Sequence, residues 1–189
     1  MLTTTNGKTW HGRTLDENLI FRIAANDKHA LESLYVETKT AVYGFILSIV
    51  RNSYTAEDIM QETYIKIFAS ASGYVARGKP MAWILTIARN LSLMKLREKS
   101  SSELPLDLSW GAARVECGLE TSLDRMVLDA AMLILSDDER QIIILHDIAG
   151  MKHREISDIL KIPLPTVLSK YRRSLSKLRQ HMKEGARDE

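Results

Sequence analysis

Apolar residues recur at helical spacing from about residue 15 to residue 97, and no stretch sustains the alternation of a strand, so the chain is predicted to be all-α. The pattern breaks near Asn26 and Asp27, near Asn52 and Ser53, and from Ala71 to Lys79. Between Glu98 and about Ser122 the period is lost. Ser100, Ser101, Ser102, Pro105, Gly111 and Gly118 gather there instead, as in a linker between domains. Helical patterning resumes near Leu123 and continues to about Lys183. The expected architecture is two small helical domains joined by a flexible linker. A polar, disordered leader occupies residues 1–13, a first domain 14–98, the linker 99–123, a second domain 124–184 and a tail 185–189.

In the first domain, Thr55 and Asp58 give a capping signal for a helix over 56–68 with Ile59, Met60, Thr63 and Ile67 as its core stripe. Ile65 then stands on the other side, beside Asp58, Gln61, Glu62 and the edge of Phe68. An apolar residue among acidic and amide groups suits a protein interface, although a second buried face gives the same pattern. Pro80 fits the first turn of the next helix, on which Trp83, Ile87, Leu91 and Met94 share a face. Thr86, Arg89, Asn90 and Arg97 fall together off its edge, where an amide and guanidinium groups can meet unstacked bases and phosphates.

The second domain opens on a capping box, Ser136 with Glu139, and the run Ile142, Ile143, Leu145 and Ile148 ends at Gly150, a suitable C-cap. A second helix fits 152–160, and a Lys161-Ile162-Pro163 turn leads into a third. At about 100° per residue, Leu164, Val167, Leu168, Tyr171, Leu175 and Leu178 form one inward stripe on that helix. Thr166, Ser169, Lys170, Arg173 and Lys177 occupy the opposite face. Short helix, tight turn and a helix with cations opposite its apolar stripe is the helix-turn-helix arrangement of DNA-binding proteins. The charge pattern alone is equally compatible with a solvated basic face.

Composition adds little until its distribution is considered. The 189 residues are 45% hydrophobic, enough for real cores, and the formal net charge of +2 does not by itself indicate a nucleic-acid partner. Yet residues 163–183 contain Lys170, Arg172, Arg173, Lys177, Arg179 and Lys183 and no carboxylate, whereas residues 103–124 are predominantly acidic. The single cysteine, Cys117, cannot form an internal disulfide, and no apolar run approaches the roughly 20 residues of a membrane span. With no signal peptide pattern either, the chain is expected to be cytoplasmic. His146, His153 and Cys117 lack the close spacing of metal ligands, so no metal site or cofactor is expected. Without a phosphate-binding loop, nucleophile elbow or HExxH pattern, the chain is expected not to be an enzyme.

Both halves together resemble the sigma-70 family of RNA polymerase sigma factors, in its extracytoplasmic-function group. Ala56-Glu57-Asp58-Ile59-Met60-Gln61-Glu62-Thr63 is similar to the family's core-binding helix. Ala82-Trp83-Ile84 through Ile87-Ala88-Arg89-Asn90 is similar to its promoter-melting region, and Leu135-Ser136 through Leu178-Arg179 to its C-terminal domain. The resemblance implies that Asp58, Gln61, Glu62 and Ile65 dock on core RNA polymerase, a partner that includes the beta-prime and beta subunits. It implies that Arg89, Asn90, Lys95 and Arg97, with the loop at 70–79, bind the melted non-template strand of the −10 element. Thr166, Ser169, Lys170, Arg172, Arg173 and Lys177 would face the −35 element of promoter DNA.

The sequence departs from the commonest family pattern at Pro165, where glycine is usual, at Leu168, where a basic residue is usual, and at Arg172, where an aromatic residue or histidine is frequent. The base preference therefore does not transfer, and Leu168 either packs inward or touches a thymine methyl. The acidic linker, with Glu103, Asp107, Glu116 and Glu120, resembles the family segment that threads polymerase near the RNA exit path. Ordinary linker composition explains it equally well. The resemblance further implies an anti-sigma factor as partner, membrane contact only through that partner, and a stress or envelope regulon. A helix-turn-helix repressor with a sensing domain, or an adaptor protein, are the competing classes. A repressor has no use for both the Asp58-Gln61-Glu62 helix and the Trp83 to Asn90 helix, and an adaptor predicts that charge reversal at Arg173 spares promoter binding.

Overall fold

The computed structural model describes residues 15–101 and 133–185. Within them the chain forms helices α1 (Asn18–Ala24), α2 (Lys28–Val50), α3 (Ser53–Ser70), α4 (Pro80–Ser101), α5 (Asp137–Ile143), α6 (His153–Leu160) and α7 (Leu164–Gly185). A 3-10 turn, Ala71–Gly73, follows α3, and a π-turn, Ile144–Ile148, extends α5. There is no strand among the described residues, so the chain is all-α as expected. Nor, among them, is any helix long and apolar enough to cross a membrane. The linker carboxylates and Cys117 lie outside the described residues, as do the leader and the last residues of the tail.

The breaks fall where the sequence puts them, and the first two have side-chain caps. Asp27 opens α2 by accepting from the backbone N–H groups of His29 and Ala30, at 2.9 and 3.2 Å. Asn52, in extended conformation, opens α3 by accepting from Thr55 N–H at 2.9 Å. Thr55 and Asp58, expected to form the cap, are therefore inside the helix, with Thr55 buried. Glu139 accepts from both the backbone N–H and the hydroxyl of Ser136, at 3.1 and 3.0 Å, which realises the expected pairing at the start of α5. At the far end of that run Met151 N–H reaches Leu145 C=O at 2.9 Å over Gly150, whose φ of +67° closes the turn.

Helix α2 is the axis of the molecule. Every residue of 41–48 is buried, and a helix that is apolar all round must be covered all round. Helices α1, α3 and α4 pack against it, and so does the α5 segment with its π-turn. One apolar core consequently runs from Ile20, Phe45, Ile59 and Ile84 into Ile144, Leu145 and Ile156 of the second helical unit. Each fully buried isoleucine or leucine contributes about 1.5–3 kcal/mol by leaving water. A smaller cluster of Leu135, Ile143 and Leu178 holds α7 to α5. The two units are also joined by the ion pairs Arg51 with Asp137 and Lys79 with Glu155, the latter at 3.9 Å.

Two expected stripes are shifted. On α3 the stripe Ile59, Met60, Thr63 and Ile67 is buried as read, with the Thr63 hydroxyl donating to Ile59 C=O at 2.7 Å. On α4, however, the fully buried residues are Ile84, Leu85 and Ala88, continuing to Ser92. Trp83, Ile87 and Leu91 sit at the margin and Met94 is exposed. Centring the stripe on the large Trp83 rotates the helix by about one residue, because size is mistaken for depth. On α7, Val167 and Leu178 are buried, but Leu168 faces out and the small Ser174 takes the inner position. Its hydroxyl is satisfied by Lys170 C=O at 2.8 Å.

Candidate nucleic-acid interface

The polar strip of α3 is exposed throughout. Asp58, Gln61 and Glu62 all face solvent, and Ile65 among them is 69% exposed, with Phe68 39% exposed one turn on. An apolar centre with an acidic and amide rim is thus presented outward, and the alternative of a second buried face is set aside.

A cleft of about 510 Å³ opens beside α4. Trp83, Thr86, Arg89 and Asn90 line its α4 wall, Tyr74, Val75, Arg77 and Lys79 come from the preceding loop, and Glu155, Asp158 and Ile159 from α6 close the opposite side. The Tyr74 ring lies 4.9 Å from Trp83 and 6.0 Å from Phe21 in tilted contacts. Of the four residues expected to hold the −10 strand, Arg89 and Asn90 are therefore brought together in the cleft. Lys95 and Arg97 do not line it; Lys95 pairs instead with Glu98 at 3.6 Å and Arg97 is exposed further along α4.

Helices α6 and α7 meet through a turn in which Lys161 takes a left-handed φ of +60° and Pro163 precedes the first residue of α7. Ser157 holds the turn by donating to Ile162 C=O at 2.7 Å. On α7, Ser169, Arg172 and Arg173 are exposed and Thr166 half-buried, with Ser169 donating to Thr166 C=O at 3.0 Å. Two lysines assigned to the same face are committed elsewhere. Lys170 pairs with Asp138 at 2.9 Å, and Lys177 with Glu139 at 2.7 Å. Glu139 is only 2% exposed. Burial pushes its carboxyl up, but the bonds from Lys177 and Ser136 outweigh it and hold the group below its ordinary value.

Behind the turn, the rings of His146 and His153 lie 4.2 Å apart, and the Tyr171 ring stands edge-on to both. His146 Nδ1 donates to Met151 C=O at 2.8 Å and Tyr171 donates to Asp147 at 3.0 Å. Among the described residues no group of three or more His, Cys, Asp or Glu side chains could hold a metal.

Comparison with known proteins matches both halves of this all-α chain. The family pattern described as Sigma-70 region 2 matches residues 34–102, and that described as Sigma-70, region 4 matches residues 125–178. The extracytoplasmic-function RNA polymerase sigma factor SigK of Mycobacterium ulcerans is 32% identical over 178 residues, covering 89% of this chain and 94% of its own. The chain belongs to the sigma-70 family, in the extracytoplasmic-function group. As a sigma factor it binds core RNA polymerase and directs promoter recognition, strand opening and transcription initiation. SigK of Mycobacterium bovis BCG is similarly related, at 29% identity over 85% of this sigma factor and 90% of the relative. Two solved structures share the fold. CnrH, in complex with the cytosolic domain of CnrY, superposes with a TM-score of 0.60 at 17% identity, over 89% of this chain and 97% of its own. RpoE of Bartonella quintana, in complex with the anti-sigma factor NepR, gives 0.61 at 22% identity, over 80% and 96%.

The residues that sequence reasoning missed are those contributed to the cleft from a distance. Tyr74, Arg77, Glu155 and Asp158 carry no local signal, while Trp83 is on the core stripe by periodicity and in the promoter-melting stretch by resemblance. The loop at 70–79, named as a whole, points toward Tyr74 and Arg77, and nothing points toward Glu155 and Asp158.

Proposed function

We propose that this sigma factor receives the melted non-template strand of the −10 element in the α4 cleft, reads −35 duplex with the outer face of α7, and docks on core polymerase through the exposed strip of α3. The observation that carries this reading is the meeting of Arg89 and Asn90 with the Tyr74 and Trp83 rings in one cleft. An unstacked base needs a ring to stack on and an amide to read its edge, and its phosphate needs a cation. Extruding a base costs a few kcal/mol, which such contacts offset, so strand opening draws on binding energy and needs no nucleotide hydrolysis by this chain.

On α7, Thr166, Ser169, Arg172 and Arg173 face the −35 duplex, while Lys170 and Lys177 chiefly fix the helix to α5. On α3, Ile65 supplies the apolar centre of the polymerase contact and Asp58, Gln61 and Glu62 its rim. Residues 14–98 form the core-binding and −10 domain, 124–184 the −35 domain and 99–123 the link between them. The carboxylates of Glu155 and Asp158 stand opposite Arg89 across the cleft, where a strand's phosphates would be repelled, so α6 moves away before the strand enters. An anti-sigma partner that stabilises the joined arrangement is part of this reading, supported by the complex that RpoE of Bartonella quintana, a protein of the same fold, forms with the anti-sigma factor NepR. The chain acts in the cytoplasm beside polymerase and catalyses nothing itself.

Run-off transcription by purified core polymerase, with and without this protein, on genomic fragments of the source organism tests the whole. Specific starts that disappear with Asp58→Arg and with Asn90→Ala are expected. No added start on any fragment, together with tight duplex binding by the protein alone, overturns it in favour of a repressor.

A further inference from the structure

Glu17, in the turn before α1, is 57 residues from Tyr74 along the chain, yet its carboxylate organises the loop that borders the cleft. One oxygen, Oε1, accepts from the Tyr74 hydroxyl at 2.5 Å, from the Arg77 backbone N–H at 3.1 Å and from the Gly78 backbone N–H at 3.2 Å. Two successive N–H groups turned on one anion form a nest, the kind of backbone concavity that binds phosphate. Gly78 reaches it with a φ of +64°, a conformation that favours glycine, although nothing lies within 4 Å of where a Cβ would stand. Burial, followed by the hydrogen bond to Glu17 and its charge, pushes the Tyr74 phenol well above its ordinary value of 10.0. It therefore remains a donor across the neutral range.

An unfilled nest beside a DNA path is a phosphate site, and phosphate contacts carry no sequence information. We propose that Glu17 is a positioning residue for −10 recognition. By filling the nest with the protein's own anion, it holds the loop at 74–79, and Tyr74 against Trp83, in the one arrangement that admits the preferred base. It also keeps the strand's phosphates off the loop backbone. This rests on the reading of the α4 cleft as the strand site.

The test uses full-length protein in holoenzyme and a fluorescent single-stranded non-template −10 oligonucleotide from a promoter mapped by run-off transcription. Copies with one −10 base replaced are titrated beside it, and the ratio of mismatched to cognate Kd is read. Glu17→Ala lowers that ratio by about tenfold, the scale of one charge-assisted hydrogen bond, mainly because mismatched strands bind as well or better. Glu17→Gln, which keeps an acceptor oxygen and loses the charge, falls between. Tyr74→Phe, which removes one of the donors, has a smaller effect than Glu17→Ala.

An unchanged ratio in Glu17→Ala overturns the proposal, as does uniform weakening on every strand that follows a lowered thermal midpoint. Should Glu17→Ala not fold, the ratios of Glu17→Gln and Tyr74→Phe decide in its place. Arg89→Ala and Asn90→Ala are run alongside. If neither weakens strand binding, the cleft reading itself fails; if both do while Glu17→Ala keeps its ratio, the role of Glu17 alone is refuted.

Discussion

On α4 the proposed strand-facing residues sit in a cleft walled by a loop, a helix and part of a second helical unit, whereas on α7 the proposed duplex-facing residues stand along the outside of one helix. The first surface is concave, aromatic and partly closed by carboxylates; the second is convex and cationic. The difference follows from the ligands. A single base taken out of its stack must be surrounded, and a surround needs several elements. A duplex offers its groove edges and phosphates to any helix of the right shape, so one face suffices. Affinity at α7 should therefore respond mainly to charge, and affinity at α4 mainly to shape and hydrogen bonding.

The largest expected effect breaks the α4 side alone. Arg89→Ala combined with Asn90→Ala removes a cation and an amide from the cleft. Two such contacts together make a loss of about 100-fold in open-complex formation, at roughly 1.4 kcal/mol per tenfold. Retention of holoenzyme on a −35 duplex fragment in a gel-shift titration should be unaffected. A parallel loss of duplex binding would mean that the two surfaces do not act separately.

Next in size is the converse. Arg172→Ala and Arg173→Ala should each weaken −35 duplex binding by about tenfold at moderate salt. Where the contact is to a phosphate, the slope of log K against log salt falls by about one per residue removed. Binding of holoenzyme to a pre-melted −10 template, measured by titration, should be spared. A tenfold loss with an unaltered salt slope would show that the contact is to a base edge, which moves the residue from positioning to sequence readout.

How legible each surface was in the sequence follows the same division. The outer face of α7 is written at intervals of three and four residues, so periodicity places Ser169 and Arg173 there, whereas Arg172 comes from the family resemblance alone. Leu168, left open between core and DNA, is 38% exposed, while Val167 and Ser174 take the inner positions. The cleft is spread over residues as far apart as Tyr74 and Asp158, and no local pattern predicts such a meeting. The same limit hid the packing of Ile144 and Leu145 against α2, which merges two sequence-separate units into one core. It also hid the commitment of Lys177 to a buried carboxylate, since charge periodicity does not say which cations already have partners.

That commitment gives the third prediction. Lys177→Ala leaves Glu139, with its side chain 3% exposed, holding only the Ser136 donors, and should cost about 1–2 kcal/mol of stability in urea titration. The salt slope of duplex binding should move less than in Arg173→Ala. The depressed carboxyl of Glu139 supplies a pH signature. Since its folded value lies below 4.5, the unfolded chain binds the proton more readily. The stabilisation is present above 4.5 and is lost as pH falls through the lower folded value. Lys177→Ala should flatten that acid limb. A normal urea midpoint with a salt slope reduced by one would return Lys177 to the DNA face.

The smallest effect concerns the joint between α6 and α7, which sets the angle at which α7 meets a duplex. His153, at the first turn of α6, is held with its ring 4.2 Å from His146 and 4.8 Å from Tyr171, and its Nε2 is buried and has no hydrogen-bond partner among the described residues. Burial and the neighbouring His146 lower its pKa below the ordinary 6.5, and the nearby Asp147 carboxylate only partly offsets them. The proton is therefore bound more readily by the unfolded chain. Stability is full above pH 6.5 and declines as pH falls below it toward the folded value. His153→Phe preserves a ring in this stack and removes the titration. Urea midpoints of the two proteins at pH 7.5 and pH 5.5 should show a drop in the parent that is smaller in the variant. Equal drops in both would place the acid-sensitive group elsewhere and leave the α6 to α7 joint, and with it the duplex-facing surface, indifferent to pH in this range.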